Sequence, residues 1–275
     1  MRFANLNGKF LPYNALLVSA TNSALRCGWG IFETLLMENE VIALANYHWE
    51  RLWKGIEKMQ FETPAGFTSE FLEEEIRKTI TKNQVEKLCR VRLQLFTELQ
   101  NGFDPERKAS QYLIECFPLE HGITEWNENG WKCGIAEGIV KQQDDFSALK
   151  TCNMQPYFFA AQQAKEKKWN DAFIKNQQGN IIESSIANIF WVKEEQVYTV
   201  LLSEGCIAGV MRRYVLENCR AQGIPVYEKS LTKAALLDAD EIFLTNAIRK
   251  IKWVSEVEMH TYSDSFTKAL YETIF

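Results

Sequence analysis

Two residues stand out for what they could do together. Lys150 lies in Leu149-Lys150-Thr151-Cys152-Asn153, after Phe146-Ser147-Ala148 and ahead of the apolar run Pro156-Tyr157-Phe158-Phe159. In such partly dry surroundings desolvation lowers a lysine pKa from about 10.4 toward the range where the neutral amine is a nucleophile. Glu183 lies in Asn180-Ile181-Ile182-Glu183-Ser184-Ser185-Ile186-Ala187-Asn188-Ile189-Phe190, a turn of small residues that opens onto an apolar strand. An amine that condenses with an aldehyde, and a carboxylate that keeps a ring nitrogen protonated, are the pair that a covalently held pyridoxal phosphate needs. Taken singly, each has a plainer reading, as a surface lysine and an exposed turn carboxylate.

Such a cofactor also needs a phosphate anchor. Gly205-Cys206-Ile207-Ala208-Gly209-Val210-Met211-Arg212 frames a turn with two glycines and opens onto a helix, where unpaired N–H groups and the helix dipole favour an anion. A plain strand-to-helix turn would look the same. Arg51, in His48-Trp49-Glu50-Arg51-Leu52, carries a guanidinium that fits a phosphate bidentately; as a bare residue it reads as a solvated helix arginine. Arg90 and Arg92 alternate with apolar residues and suit either a substrate carboxylate or the surface. Gly28-Trp29-Gly30-Ile31-Phe32-Glu33-Thr34 is a poor nucleotide loop, lacking the third glycine and the following helix.

The elements that must position these residues can be read from periodicity. Gly30 to Met37 and Val41 to Leu44 form a hairpin around Glu38-Asn39-Glu40, and a helix runs from Tyr47 to about Met59. A charged amphipathic helix spans Ser69 to Thr81, and Arg90 to Phe96 alternates as a strand. Pro156 to Lys168 reads as helix, and Asp171 to Val200 as three strands turning at Gln178-Gly179-Asn180 and Glu194-Glu195. A helix from Val210 to Ala221 ends at Gly223, and Thr232 caps a short helix before a strand from Glu241 to Thr245. Turn formers in Phe117-Pro118-Leu119-Glu120-His121-Gly122 suggest a linker. The chain is therefore expected to be α/β with a smaller N-terminal domain over 1–116, a linker over 117–123 and a larger domain over 124–275.

Composition narrows the function classes. With 275 residues, 46% hydrophobic and 24% charged, the chain can bury a real core. A formal net charge of -5 has the wrong sign for nucleic acid. Cys27, Cys89, Cys116, Cys133, Cys152, Cys206 and Cys219 are odd in number and without C-x-x-C spacing, as reduced thiols of a cytoplasmic protein would be. His48, His121 and His260 offer no paired metal-ligand spacing, so no metal is expected. The N-terminal apolar stretch from Ala15 to Ala20 is too short for a membrane span, and no later run approaches one.

The Lys150 and Glu183 segments resemble the class IV aminotransferase family of pyridoxal-phosphate enzymes. Lys150-Thr151-Cys152-Asn153, with Pro156, Ala160, Gln162 and Ala164 after it, is similar to the family's K-T-x-N motif, and Glu183 to Phe190 to its E-x-x-x-x-N-[IL]-F turn. The Gly205 segment resembles G-x-x-x-G-[IV]-x-R, His48 to Leu52 the H-x-x-R-L motif, and Gly28 to Thr34 the G-x-G-x-F-E-T hairpin; the likeness runs from about Asn7 to Val254. It implies a two-domain fold type IV enzyme with its active site between domains. Lys150 would be the Schiff-base lysine and proton shuttle, and Glu183 the partner of the pyridine nitrogen. Arg51, the Val210 and Met211 amides and the Asn246-Ala247 loop would hold the phosphate, and Phe32 and Thr34, with Arg90 or Arg92, would meet the substrate. It also implies a homodimer acting on a small-molecule amino acid or amino-chorismate substrate.

Two activities fit that resemblance: transfer of an amino group between an amino acid and a 2-oxo acid, or release of pyruvate and 4-aminobenzoate from aminodeoxychorismate. The pattern departs from each. Asn22-Ser23 stands where the family has an acidic residue and an arginine, Gln155 where branched-chain members have a tyrosine, and Met154 where lyases often have an arginine. Thr245-Asn246-Ala247, in place of T-G-T, leans toward the lyases, as does Asn188-Ile189-Phe190-Trp191. A catalytically silent binding protein of the same fold would need neither Lys150 nor Glu183.

Overall fold

Val91, Leu93 and Leu95 alternate with Arg90, Arg92 and Gln94, so a strand there can bury one face and wet the other. The computed structural model describes residues 2–15, 18–85, 88–99 and 109–275, so the Ala15–Ala20 stretch lies partly outside the described residues. By contacts the chain divides into two units: Met1–Ile123 with Leu149–Asn153, and Thr124–Ala148 with Met154–Phe275.

The first unit runs β1 (Phe3–Leu6), β2 (Lys9–Pro12), α1 (Ser23–Cys27), β3 (Gly30–Glu38), β4 (Val41–Ile42), α2 (Ala45–Lys58), α3 (Ser69–Asn83), β5 (Leu88–Phe96) and β6 (Gln111–Pro118). Its sheet has the order β2-β1-β6-β5-β3-β4. The apolar residues of β5 and β3 pack against Trp49, Leu52 and Ile56 of α2 and Leu72 and Ile76 of α3, forming one core. Thr68 caps α3 by accepting from Phe71 N, and Gln84 closes it in the left-handed conformation. Antiparallel register sets Thr34 opposite Arg92 and Phe32 opposite Gln94, so these side chains share the face away from that core.

Residues 149–153 join this sheet as an extended segment. Phe32 N donates to Lys150 O at 2.9 Å, and Cys152 N donates to Gly30 O at 2.8 Å. Gly30 permits the approach, because a Cβ there would sit 2.9 Å from Ala24 Cβ, Cys152 Sγ and Leu95 O.

The second unit contains β7 (Trp131–Lys141), α4 (Gln155–Glu166), β8 (Asp171–Asn176), β9 (Ile181–Ser184), β10 (Asn188–Lys193), β11 (Gln196–Val200), α5 (Val210–Ala221), β12 (Val226–Lys229), α6 (Lys233–Leu237), β13 (Glu241–Asn246), β14 (Lys250–Val257), β15 (His260–Thr261) and α7 (Ser265–Ile274). Its mixed sheet runs β12-β11-β10-β13-β14-β7-β8-β9, with β9 also paired to β10 and β15 to β14. Phe190 and Phe243, fully buried on adjacent strands, stack with centroids 4.9 Å apart. Among the described residues no helix is long and apolar enough to cross a membrane.

Asp171 to Val200 forms four strands rather than the three expected. The additional break is at 185–187, in the turn of small residues between Glu183 and the apolar strand that follows. Ser184 N donates to Ala187 O at 2.8 Å, and Ser184 Oγ bonds Ala187 N and Asp171. Side-chain bonds of this kind turn the backbone where hydrophobic pattern gives no signal. The helix expected over Pro156 to Lys168 ends at Glu166, and Lys168 has φ 58.

Candidate active site

In the first unit Ile31, Phe32, Glu33, Arg51, Gly55 and Lys150 line a small hollow. Lys150 is half-buried, with Nζ 4.6 Å from the centroid of the Phe32 ring. The Arg92 guanidinium lies 3.7 Å from the same centroid and donates to Gln94 Oε1 at 3.1 Å. Thr34 is half-buried opposite Arg92. Arg90, by contrast, is exposed and stacks 4.8 Å from the centre of the Phe117 ring. The structure therefore gathers Lys150, Phe32 and Arg92, and leaves Arg90 with Phe117.

Arg51 is not a solvated helix arginine. Its Nε donates to Glu33 Oε1 at 2.8 Å and its second guanidinium nitrogen to Glu33 Oε2 at 2.5 Å, while His48 Nδ1 lies 2.6 Å from Glu33 Oε2. Burial alone would raise the Glu33 carboxyl, but the Arg51 charge and the hydrogen bonds from Arg51 and His48 prevail and hold it at about 2. Burial pushes His48 below its ordinary value despite Glu33, so the ring is neutral at pH 7 and Nδ1–H is the donor to the carboxylate.

In the second unit Glu183 is buried, and its carboxylate is held from three directions. Oε1 accepts from Lys141 Nζ at 2.8 Å and from Tyr157 OH at 2.7 Å, and Oε2 accepts from Ile207 N at 3.0 Å. Burial and the Glu183 charge push the Tyr157 phenol well above its usual value, so it stays a donor. Pairing across β9, β10 and β13 puts Glu183 opposite Asn188 and Asn188 opposite Thr245, so the three side chains emerge on one face of the sheet. Asn188 Nδ2 donates to Ile207 O at 2.8 Å. The Ile207 backbone is thereby tied to that face through both its N–H and its carbonyl.

That tether sets the start of α5. Gly209 is its N-cap and supplies no side-chain hydrogen bond, so the first-turn N–H groups at Val210 and Met211 keep their capacity to meet an anion. A Cβ on Gly209 would fall 1.9 Å from Asn188 Oδ1, which explains glycine there. The Asn246 side chain closes its own turn: Oδ1 accepts from Ile248 N and Arg249 N, and Nδ2 donates to Ile186 O. What Asn246 and Ala247 can offer a ligand is therefore their main chain and the second Asn246 Nδ2 hydrogen. Thr245 Oγ1 is buried without a hydrogen-bond partner among the described residues.

Glu33, Lys141, Tyr157 and Thr245 were not singled out by sequence reasoning. Glu33 was within reach, since it falls inside the F-E-T segment. Lys141 ends a strand and Tyr157 hides in an apolar run, so neither carries a local signal.

Comparison with known proteins places the chain. The family described as amino-transferase class IV matches residues 30–257. This chain belongs to the class IV aminotransferase family. It is an enzyme of that family, and its two-unit α/β architecture is that of the fold type IV enzymes. An aminodeoxychorismate lyase of Vibrio harveyi is 35% identical over 144 residues, 52% of this chain and 53% of that protein. A putative branched-chain-amino-acid aminotransferase of Methanocaldococcus jannaschii is 27% identical over 92% of this chain and 87% of its own. The crystal structure of a branched-chain aminotransferase of the thermophilic archaeon Thermoproteus uzoniensis, with norvaline, superposes with a TM-score of 0.87 at 21% identity, covering 99% of this chain and 93% of that one. Class IV members thus include both transferases and lyases.

Proposed function

We propose that this protein is a pyridoxal 5'-phosphate enzyme that transfers an amino group between an amino acid and a 2-oxo acid. The observation that carries the reading is the Glu183 carboxylate. It is buried, its Oε1 is filled by two donors, and among the described residues its Oε2 accepts from Ile207 N, which leaves Oε2 room for one more. The other residues fit the same cofactor. The uncapped start of α5 at Val210 and Met211, the Asn246-Ala247 main chain and Arg51 suit its phosphate, and the buried Thr245 hydroxyl lacks a partner among the described residues.

When bound, the cofactor supplies an aldehyde that captures the substrate amine and a protonated ring that spreads the charge left by loss of the α-proton. The chain's own residues do the rest. Lys150 Nζ holds the cofactor at rest, then takes the proton from the substrate α-carbon and redelivers it. Glu183 keeps a proton on the ring nitrogen. Arg92, with Arg90 as the second candidate, meets the substrate carboxylate, and Phe32 and Thr34 line its side of the pocket.

Release of pyruvate and 4-aminobenzoate from aminodeoxychorismate is the second reading. It is favoured by the Thr245-Asn246-Ala247 loop and by the likeness to the Vibrio harveyi lyase. One assay separates the two: turnover that requires an added 2-oxo acid supports the transferase, and pyruvate release without any acceptor supports the lyase. Lys150→Ala should abolish either. The family resemblance also suggests a homodimer, which sedimentation analysis of the holoenzyme tests, and the scattered cysteines suit the cytoplasm.

A further inference from the structure

Glu183 shares its charge before any ligand arrives. Lys141 Nζ lies 2.8 Å from Glu183 Oε1 and is held in place by Ser147 O, to which it donates at 2.9 Å. Tyr157 OH donates to the same Oε1 at 2.7 Å, and the Lys141 ammonium lies 5.2 Å from the centre of the Tyr157 ring. Lys141 and Tyr157 are both buried, and the third contact, Ile207 N, lies on Oε2. The buried Cys206 also lies near this carboxylate, but burial pushes its thiol up to about 12, so at neutral pH it adds no charge; the buried Arg212, which bears on Cys206, is paired with Glu228 at 2.5 Å. Lys141 therefore supplies the cation that balances Glu183.

We propose that Lys141, aided by Tyr157, is a positioning residue that keeps Glu183 a charge-shared carboxylate, so that the ring nitrogen of the cofactor holds its proton less tightly than an unpaired glutamate would make it. This rests on the reading of Glu183 as the partner of that nitrogen. The physical reason is twofold. An ammonium in contact with one carboxylate oxygen draws charge from the other, and its field acts directly against a second positive charge on the ring. The two donors on Oε1 leave Oε2, which accepts from Ile207 N, as the oxygen that would meet the ring nitrogen. Lys141 thus sets how strongly the ring withdraws electrons, while Glu183 sets that it does.

The test is a pH titration of holoenzyme carrying pyridoxal phosphate labelled with 15N in the ring, followed by the nitrogen's NMR shift. In Lys141→Met the nitrogen should keep its proton to a pH higher by about one unit or more. Lys141→Arg should restore the wild-type midpoint, and Tyr157→Phe should raise it by a smaller step. Should Lys141→Met fail to fold, Tyr157→Phe and Lys141→Arg decide the matter by the same readout. A wild-type midpoint in Lys141→Met, or in Tyr157→Phe if only that variant folds, overturns the inference. Glu183→Gln separates this from failure of the underlying reading: if that substitution also leaves the ring nitrogen unchanged, Glu183 does not meet it at all.

Discussion

Protonation of Glu33 couples stability to pH. Its carboxyl is held at about 2 against an ordinary 4.5, so between these values the unfolded chain binds more protons than the folded one. The stabilisation it provides is complete above about pH 4.5 and drains away as the pH falls toward 2. Glu33→Gln should cost roughly 3 to 5 kcal/mol at pH 7, because the half-buried Arg51 loses its counter-charge, and the gap to wild type should narrow in acid. Urea midpoints at pH 7 and pH 3 measure both effects. A gap that is unchanged at pH 3 would show that the Arg51 and His48 contacts do not hold Glu33 ionised.

At the scale of elements, the site depends on two short segments that must not move. Asp171, at the start of β8, accepts from Ser184 Oγ at 2.6 Å, Ser185 Oγ at 2.5 Å and Ser185 N at 3.2 Å, pinning the turn that follows Glu183. Asp171→Ala should cost about 2 to 4 kcal/mol by leaving these buried groups unpaired, read from urea denaturation, and should weaken cofactor binding in parallel. Gly209→Ala is a sharper probe, since the added methyl group meets Asn188 Oδ1 and must displace the start of α5. Titration of the apo-protein should show at least a tenfold loss of affinity for pyridoxal phosphate and a much smaller loss for pyridoxal, which lacks the phosphate. Equal losses for the two ligands would remove α5 from the phosphate contacts. Much at this scale was legible in the sequence. Turns at 178–180 and 194–195, the Thr232 cap and the helices starting at Ser69 and Val210 follow from local residue types. The small residues after Glu183 mark its turn as well, but not the side chain from another strand, Asp171, that pins it.

For the whole molecule, what escaped the sequence is what joins distant stretches of chain. Lys150 and Glu183 could be picked out because each sits in its own short motif. Yet the ion pair of Glu183 with Lys141, and the pairing of residues 149–153 with β3, join positions whose local patterns carry no trace of each other. The assigned chemistry has a consequence for the entire fold: pyridoxal phosphate at about 100 times its dissociation constant should stabilise the protein by about 2.7 kcal/mol, raising its melting temperature in a concentration-dependent way. A melting temperature that ignores the cofactor would count against the family chemistry in this chain. The central claim, that Lys150 is the amine that carries the cofactor, has the most direct test. Among the described residues two other buried amines could compete: Lys141, engaged with Glu183, and Lys252, which burial lowers to about 8 but whose Nζ donates to Glu125 O. Holoenzyme reduced with borohydride, digested and mapped by mass spectrometry should carry the cofactor on the peptide containing Lys150, and the label should vanish in Lys150→Ala. A label on Lys141 or Lys252, or one that persists in Lys150→Ala, would contradict the account.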